Sequence, residues 1–470
     1  MPKDLRTWLK DLEDRIPGEP LRVSKAVTPS SFEVASILHQ LEEKGNLQAV
    51  LFEKVTNIKG KPTDFRMLSH AFTTREKLAV SLGVTDSNRV ALFEKFLELS
   101  RQKRKVQMIP PAQAPLKEVI IREESLDLAD LPIMKHNFQD AGPYLTPVVV
   151  ARVPGGERHN TSWNRMMYID AHHLAIYMSP RHLWMYFQEA EASGCSLPVA
   201  VVLGHHVGFM LSASALVPLD EDEYEVAGGI LGEPLRVVAS EVYGQELLVP
   251  ADAEAVVEGE ILPQRRSIEG PFGEFTGYIG PQRLSWLFRA RAITRRRRPI
   301  VHCAFAAHLD HLYAHFPIEA SIFQRVKQAV AGVKDMTWLD SGGPFHLVIS
   351  MRKRTEGEPM RAAMAALSAS NFIKHVIVVD EDVDPGNGRE VMWAMANCCQ
   401  ADSSVTLLKN IQGHVLDPSL RQDIKGAGLV IDATRPTDRP YPPRAGLPPE
   451  ILKKFNLNDY LSGHSGKQRG

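Results

Sequence analysis

Two glutamates that bracket a tight turn are the strongest chemical signal in this chain of 470 residues. Glu269 and Glu274 flank the segment GPFG at 270–273. Such a segment favours a turn, because proline fixes φ and glycine supplies positive φ. A turn brings both carboxyl groups to one cavity, where like charges raise one pKa and provide a proton donor near neutral pH. The alternative is a pair of solvated glutamates, but three flanking aromatic residues favour burial: Phe272, Phe275 and Tyr278.

A second segment, HNTSWNRMMY at 159–168, carries Asn160, Asn164 and Arg165 directly before a predicted strand. Arginine can hold a carboxylate or a phosphate with two parallel hydrogen bonds. An asparagine amide oxygen suits a hard metal ion. Taken alone, the segment is better explained as a polar loop.

Two further segments can bind ions. Pro180 followed by a helical pattern places His182 at a helix N-terminus, where the helix dipole favours anions. The segment at 219–232 has five acidic residues in six positions, which indicates either a solvated, acidic helix start or a metal carboxylate. In isolation, a capping histidine and an acidic helix start are the simpler explanations.

Composition excludes several classes of protein. Lys+Arg 55 and Asp+Glu 56 give no net basic field for nucleic acid or an anionic membrane. GxGxxG after a strand, GxxxxGK[ST], GxSxG and HExxH are all absent. No apolar run is long enough for a membrane span, and the first residues do not form a signal peptide. The four cysteines have no CxxC spacing, so we expect reduced thiols and a cytoplasmic protein.

The residue patterns predict several domains of an α/β (α+β multidomain) protein. Helices and strands alternate in 1–115, which we interpret as an N-terminal α/β domain ending in the proline-rich segment Met108–Pro115. Short β-rich runs in 116–310 predict a mostly antiparallel sheet or barrel. The alternation returns in a C-terminal α/β domain at 311–445, and 446–470 predicts a terminal helix and tail.

Taken together, these segments resemble the UbiD family of decarboxylases. The resemblance rests on Asn160-x4-Arg165, Pro180-x-His182, DEYEVAGGILG, VPADAEAVVEGEI at 249–261 and EGPFGEFTGY. It spans about 20 to 460 and implies that the central domain is a split β-barrel like that of flavin reductases. EGPFGE combined with VPAxAExVxEGE is highly specific for the family.

The resemblance implies a prenylated FMN supplied by a separate flavin prenyltransferase, a divalent metal, usually Mn2+, and a nearby K+. The implied metal ligands are Asn160, His182 and Glu223. The implied cofactor-binding residues are Asn160, Ser162, Trp163, Asn164, Arg165, Arg181, His182, Glu223 and Lys425. The implied K+ ligands are main-chain atoms of Ser162, Ala213, Ser214 and Leu216.

The resemblance also implies an activity, namely reversible, non-oxidative decarboxylation of an aromatic, heteroaromatic or α,β-unsaturated carboxylic acid. The substrate forms a covalent adduct with the prenylated flavin, and Arg165, Glu269 and Glu274 form the catalytic set. Glu274 donates the proton, and the cofactor carries out the difficult chemistry. The family implies homodimers or hexamers built from dimers.

Alternatives remain at three points. The same groups would serve carboxylation, and a subunit that only binds prenylated flavin is a different class of function. The chain also departs from the family after Pro299–Phe305, where AAHLDHLYAHFPIE replaces a Gly-x-Pro-Pro-Glu-Asp-like segment. His308, His311 and His315 either line a pocket for a second polar group on the substrate or pack at a helix start.

Overall fold

The computed structural model describes residues 2–420, 424–456 and 460. The helices, in chain order, are α1 (Leu5–Arg15), α2 (Glu33–Glu43), α3 (Arg75–Ser81), α4 (Arg89–Arg101), α5 (His182–Ala192), α6 (Val207–Ser212), α7 (Glu223–Leu231), α8 (Leu309–Tyr313), α9 (Phe316–Ala329), α10 (Glu358–Ala369), α11 (Gly388–Cys398) and α12 (Pro449–Leu452). The strands are β1 (Leu21–Val23), β2 (Val50–Phe52), β3 (Arg66–Ser69), β4 (Gln107–Met108), β5 (Val119–Arg122), β6 (Tyr144–Leu145), β7 (Val148–Arg152), β8 (His159–Trp163), β9 (Met166–Tyr168), β10 (His173–Ile176), β11 (Leu197–Val202), β12 (Arg236–Ser240), β13 (Gly244–Pro250), β14 (Ala255–Glu269), β15 (Phe272–Gly273), β16 (Ile279–Gly280), β17 (Arg283–Arg295), β18 (Ile300–His302), β19 (Val333–Leu339), β20 (Gly343–Met351), β21 (His375–Asp380), β22 (Val405–Gln412) and β23 (Lys425–Ala433).

Three sheets organise the described part of the chain. The central sheet has nine antiparallel strands in the order β6-β9-β10-β17-β14-β11-β7-β8, with β5 paired to β17. A four-stranded sheet, β1-β2-β3-β18, lies in the N-terminal part, and a mixed sheet, β19-β20-β21-β23-β22, forms the C-terminal part. The predicted mixed α/β, multidomain architecture is therefore confirmed.

The hairpin of β14 and β17 is the longest pairing in the molecule. It runs from Ala255 opposite Arg295 to Glu269 opposite Arg283. The inner residues Ala255, Val257 and Ile261 are fully buried and belong to one continuous apolar core. The buried residues anchor the first half of β14. After an irregularity between Ile261 and Arg266, the pairing resumes and places Glu269 opposite Arg283 at the hairpin's end.

The strand expected near Pro299–Phe305 is shorter than predicted, Ile300–His302. It pairs in parallel with β3 of the N-terminal sheet. The proline-rich segment after Met108 is also more ordered than a free linker, because β4 pairs with β12 and two short 3-10 helices follow. Contacts between the first and second parts of the chain are thus made by main-chain hydrogen bonds.

Helix boundaries follow the sequence prediction closely at α1 and α5. Ser31 before an apolar helical pattern predicts a serine cap for α2, and this prediction is wrong. Ser31 lies in a 3-10 turn, and Phe32 with φ 68° caps the helix without a side-chain hydrogen bond. The predicted tail helix is confined to Pro449–Leu452 among the described residues, while 457–459 and 461–470 lie outside them. No helix in the described part of the chain has the length and apolar character needed to cross a bilayer. All four cysteines are free thiols, as expected.

The charge run of the basic tetrad 295–298 predicts a solvated strand end, and Arg296 differs from this prediction. Arg296 is only 5% exposed, and its guanidinium donates to Asp4 Oδ2 at 2.9 Å and to the Asp252 carbonyl at 2.7 Å. Asp4 also caps α1 by accepting from the Thr7 amide at 2.8 Å. A buried charge must be paired, so this contact holds the first helix against the central sheet.

Replacing this arginine tests the contact. Arg296→Ala leaves Asp4 buried without its cation, and we expect the free energy of unfolding to fall by about 3–5 kcal/mol, measured by chemical denaturation. Arg297→Ala is the matched control, because Arg297 is exposed and uses only its main-chain amide to contact Glu118; its effect should stay within about 0.5 kcal/mol. Equal effects of the two substitutions would contradict the assignment.

Candidate active site

Arg165, Glu269 and Glu274 meet in one buried cluster. The Arg165 guanidinium donates from Nε to Glu269 Oε1 at 2.8 Å, from Nη2 to Glu269 Oε2 at 3.2 Å and from Nη1 to Glu274 Oε1 at 2.7 Å. The side chains of Glu269 and Glu274 are 0% and 4% exposed. The structure brings the arginine and both glutamates of the predicted catalytic set together in this one cluster.

The turn between the glutamates is held by side chains from other strands. The Tyr144 hydroxyl lies 3.2 Å from Glu269 Oε1 and accepts from the Gly270 amide at 3.1 Å, while Asp140 Oδ1 accepts from the Gly273 amide at 2.9 Å. Gly270 has φ 81°, and a Cβ there would lie 2.9 Å from the Pro281 carbonyl. The main chain can therefore close around the glutamates only with glycine at this position.

Burial and charge set the protonation of the cluster. Burial raises the pKa of Glu274, and the Arg165 guanidinium beside it only partly offsets this effect. Burial would lower the pKa of Arg165, but Glu274 and Glu269 hold that pKa above its ordinary value. The arginine therefore stays charged, and Glu274 can hold a proton at a higher pH than a solvated glutamate.

A second polar cluster forms around Glu223, the first residue of α7. Its Oε1 accepts from Asn160 Nδ2 at 2.7 Å and lies 3.1 Å from His182 Nδ1. Its Oε2 accepts from the Thr161 amide at 2.6 Å. The amide oxygen of Asn160 is buried without a hydrogen-bond partner. An unpaired amide oxygen, a carboxylate and an imidazole in contact are a donor set suited to Mn2+ or Mg2+.

This cluster was predicted as a loop before a strand, but Asn160 lies within β8 and β8 pairs with β7. His182 is the first residue of α5, as expected. No group of three or more His, Cys, Asp or Glu side chains is arranged to hold a metal in the described ranges, since the third member here is an asparagine.

The remaining residues of the predicted cofactor set lie at the same end of the sheet, with one exception. Ser162 Oγ donates to Asn164 Oδ1 at 2.8 Å, and Trp163 Nε1 donates to the Met210 carbonyl at 2.8 Å. The latter bond places β8 beside the end of α6, and Ala213 caps that helix. Arg181 is exposed at the N-cap of α5.

Ser214 is buried, whereas Leu216 is 45% exposed. Lys425 is the exception: it is exposed at the start of β23, and no hydrogen bond or ion pair within the described chain joins it to the Glu223 cluster.

The three histidines of the departing segment lie in two environments. His308 Nδ1 lies 2.7 Å from Glu42 Oε2, and the His308 ring stacks on Phe305 with ring centroids 3.7 Å apart. His311 and His315 lie 5.2 Å apart, and burial lowers their pKa values to about 3 and about 4. His311 and His315 are therefore neutral at pH 7, and the ring of His311 approaches Phe275 in the loop of Glu274.

Phe275, the residue after Glu274, contacts the C-terminal part of the chain. Its ring lies 5.4 Å from Phe345, 5.5 Å from Phe372 and 5.6 Å from His414. His311 approaches the same ring at 6.5 Å. This aromatic cage connects the proton-bearing loop to two other elements of the chain.

Sequence reasoning missed Tyr144, Asp140 and Arg283. Tyr144 and Asp140 carry no local signal, since only the pairing of β6 with β9 brings them to the turn. For Arg283 the sequence offers a weak indication: a hairpin that ends at the predicted turn must place some residue of the returning strand opposite Glu269. Its Nε lies 4.0 Å from Glu269 Oε2.

Comparison with known proteins agrees with this geometry. Three models of 3-octaprenyl-4-hydroxybenzoate carboxy-lyase domains match the chain: the N-terminal domain at 12–97, the Rift-related domain at 107–308 and the C-terminal domain at 311–433. The chain is 31% identical to anhydromevalonate phosphate decarboxylase of Methanothermobacter thermautotrophicus, over 91% of this chain and 97% of that protein. It is 30% identical to phenolic acid decarboxylase of Sedimentibacter hydroxybenzoicus, over 94% and 93%.

A solved structure extends the likeness to three dimensions. The UbiD-class enzyme HmfF from Pelotomaculum thermopropionicum, in complex with FMN, superposes with a TM-score of 0.88 and 36% identity, over 97% of this chain and 100% of that one. An evolved dimeric form of HmfF, in complex with prFMN, gives 0.85 and 34%, over the same shares of the two chains. The protein belongs to the UbiD family of carboxy-lyases.

Gly280 provides a test of the carboxyl position. A Cβ at Gly280 would lie 2.7 Å from Glu274 Oε1, so Gly280→Ala should displace this side chain while the main chain stays in place. We expect decarboxylation to fall at least tenfold, with an unchanged thermal midpoint, because misplaced groups transfer protons poorly.

Gly388→Ala is the control, since nothing lies within 4 Å of a Cβ at that helix position and its activity should be retained. Full activity of Gly280→Ala would contradict the placement of Glu274.

Proposed function

We propose that this protein catalyses reversible, non-oxidative decarboxylation of an aromatic, heteroaromatic or α,β-unsaturated carboxylic acid with prenylated FMN. The observation that most directly supports this proposal is the buried cluster of Arg165, Glu269 and Glu274. In this cluster the pKa of Glu274 is raised, and the Arg165 guanidinium lies beside it. Relatives that share the whole length of the chain are decarboxylases by name. A raised carboxyl pKa in a closed site is what a general acid near neutral pH requires.

The cofactor assignment rests on relatives and on residues of this chain. HmfF is described in complex with FMN, and its evolved form in complex with prFMN. When bound, the prenylated flavin supplies a covalent electron sink for the electrons released as CO2 leaves. We assign it to the end of the central sheet, with contacts from the residues between Asn160 and Arg165, from Arg181 and His182, and more remotely from Lys425. The split-barrel description of the central domain belongs to the same proposal.

The metal assignment rests on the Glu223 cluster. The buried, unpartnered Asn160 Oδ1 needs a positive or donor partner, and Glu223 and His182 converge on the same place. We propose that these three side chains would hold Mn2+, or another hard divalent ion, which would supply positive charge for binding the phosphate of the cofactor. Carbonyl groups of Ser162, Ala213, Ser214 and Leu216 are the proposed K+ ligands.

The chain's own residues then have distinct roles. Glu274 gives its proton to the carbon that lost CO2, since it is the carboxyl group with the raised pKa. Glu269 accepts hydrogen bonds from two N–H groups of Arg165 and lies beside the Tyr144 hydroxyl, so it holds the guanidinium in place. Arg165 orients both carboxylates with three hydrogen bonds and keeps its charge. In the carboxylation direction the same groups act in reverse.

The histidines restrict the substrate. His311 lies near the loop of Glu274, with His315 beside it, and both imidazoles are neutral. They can therefore offer hydrogen bonds without charge to a hydroxyl or ring heteroatom. We therefore favour a hydroxylated or heteroaromatic acid. His308, held by Glu42, is a more distant member of this pocket.

The larger organisation is part of the same proposal. We propose domains at 1–115, 116–310 and 311–445 with a tail at 446–470, a homodimer or a hexamer of dimers, and a flavin prenyltransferase as cofactor supplier. The dimeric form of HmfF supports the assembly. A subunit that binds prenylated flavin without turnover is the second candidate, but a buried proton donor beside a cation favours an enzyme.

Glu274→Gln tests the proton donor. The amide keeps the shape but cannot deliver a proton, so we expect kcat to fall by about 10²–10⁴-fold in a CO2-release assay on a panel of acids. The protein, co-expressed with a flavin prenyltransferase, should keep its flavin absorbance and thermal midpoint. In the wild type, kcat should decrease as pH rises through the raised pKa of Glu274, because the protonated form is active. Undiminished turnover by Glu274→Gln would remove this residue as the acid.

Glu223→Gln tests the metal site. We expect loss of at least tenfold in Mn2+ affinity, measured by metal analysis after equilibrium dialysis, because a neutral amide replaces the only carboxylate in the set. Glu225→Gln, two residues along the same helix and outside the cluster, is the matched control and should retain the metal. Equal Mn2+ content in both variants would show that the ion binds elsewhere.

A further inference from the structure

Arg283 is a second cation at the active site, and it lies directly opposite Glu269 in the register of β14 and β17. Side chains of directly paired residues project from the same face of a sheet, which brings this guanidinium beside the carboxylate. Its Nε lies 4.0 Å from Glu269 Oε2 and is buried without a hydrogen-bond partner. The side chain as a whole is 23% exposed.

Arg283 and Arg165 share one aromatic neighbour. Their guanidinium carbons lie 4.6 Å and 4.4 Å from the ring centroid of Tyr177. The Tyr177 carbonyl also accepts from Asn164 Nδ2 at 3.0 Å, so the ring is anchored to the segment that carries Arg165. A ring face attracts both cations and holds them near the glutamates at a distance from each other.

The two arginines differ in how many of their guanidinium N–H groups are already hydrogen-bonded. Arg165 uses three N–H groups on the glutamates. No hydrogen bond joins the Arg283 guanidinium to any residue in the described part of the chain, although Glu269 lies within ion-pair distance. Arg283 thus contributes charge to the site without taking up the hydrogen-bonding positions of the carboxylates.

The sum of the charges on the two arginines and two glutamates shows what Arg283 adds to the site. With both glutamates ionised, Arg165 alone would leave the cluster at −1, and Arg283 brings it to zero. With a proton on Glu274, the cluster carries +1 and can attract a carboxylate substrate. Three other groups face the cluster. The Tyr144 hydroxyl and His311 are neutral at pH 7. Asp140 directs its carboxyl oxygens to main-chain amides at the turn and not to either guanidinium, and burial raises its pKa.

We propose that Arg283 is a positioning residue that places a second positive charge against Glu269 and gives the cluster of two arginines and two glutamates a net positive charge when Glu274 holds its proton. Binding of the carboxylate substrate and protonation of Glu274 therefore favour each other. This inference rests on the proposed function for its consequence in turnover, but the charge arrangement itself can be measured without turnover.

The test compares Arg283→Gln with Arg283→Lys in the full chain, co-expressed with a flavin prenyltransferase. Carboxyl protonation is followed against pH by isotope-edited infrared spectroscopy of protein labelled with 13C-glutamate, and Glu274→Gln and Glu269→Gln identify the two bands. A cation near an acid lowers its pKa by about 1–3 units, so Arg283→Gln should raise the titration of this pair by at least about one unit, a tenfold change in proton affinity. Arg283→Lys keeps the charge and should titrate within about half a unit of wild type.

Kinetics provide the second readout. For any acid that the wild type decarboxylates, Arg283→Gln should raise KM about tenfold or more, since one unit of positive charge is lost, and Arg283→Lys should recover most of it. An unchanged carboxyl titration in Arg283→Gln would overturn the proposal, and so would identical titrations in Gln and Lys variants that both differ from wild type. If no acid is turned over by the wild type, the proposed function fails while the infrared titration still decides the role of Arg283.

Discussion

The pairing of one buried arginine with two buried glutamates is the interaction on which the rest of the site depends. A charged side chain inside a protein is costly unless it is paired and hydrogen-bonded. Arg165 meets this condition with three hydrogen bonds, and the pair of carboxylates remains close without a solvent shell. Tyr144 and Asp140 complete the arrangement by fixing the turn between the glutamates. The three bonds are unequal: Arg165 gives two to Glu269 and one to Glu274, the carboxyl group whose pKa burial raises.

The central sheet makes this pairing possible. Arg165 follows β8, Glu269 ends β14 and Glu223 begins α7, so the contributing residues are far apart in the chain and meet only through strand register. A shift of one residue in the β14–β17 pairing would turn Glu269 to the other face. The buried residues at 255–261 oppose such a shift in the first half of β14, and the pairs from Arg266 with Trp286 to Glu269 with Arg283 set the register beyond the irregularity.

Part of this could be predicted from the sequence, for physical reasons that differ between elements. The turn of Gly270 and Pro271 is encoded locally, so the convergence of the glutamates was predictable. The alternation of helix and strand in the two outer domains has a local period and was also predictable. Tyr144, Arg283 and the pairing of β18 with β3 depend on contacts between distant segments, which single-sequence patterns do not contain. The burial of Arg296 could not be predicted for the same reason, because it depends on a contact with Asp4, 292 residues away.

The cage around Phe275 has a consequence for protein engineering. Three rings from the C-terminal part of the chain contact Phe275, the residue adjacent to Glu274: Phe345, Phe372 and His414. A chimera that exchanges residues 311–433 for those of a relative would therefore alter the position of Glu274, even if every residue that contacts its carboxyl group directly were kept. Grafts of this kind should carry positions 345, 372 and 414 from the recipient.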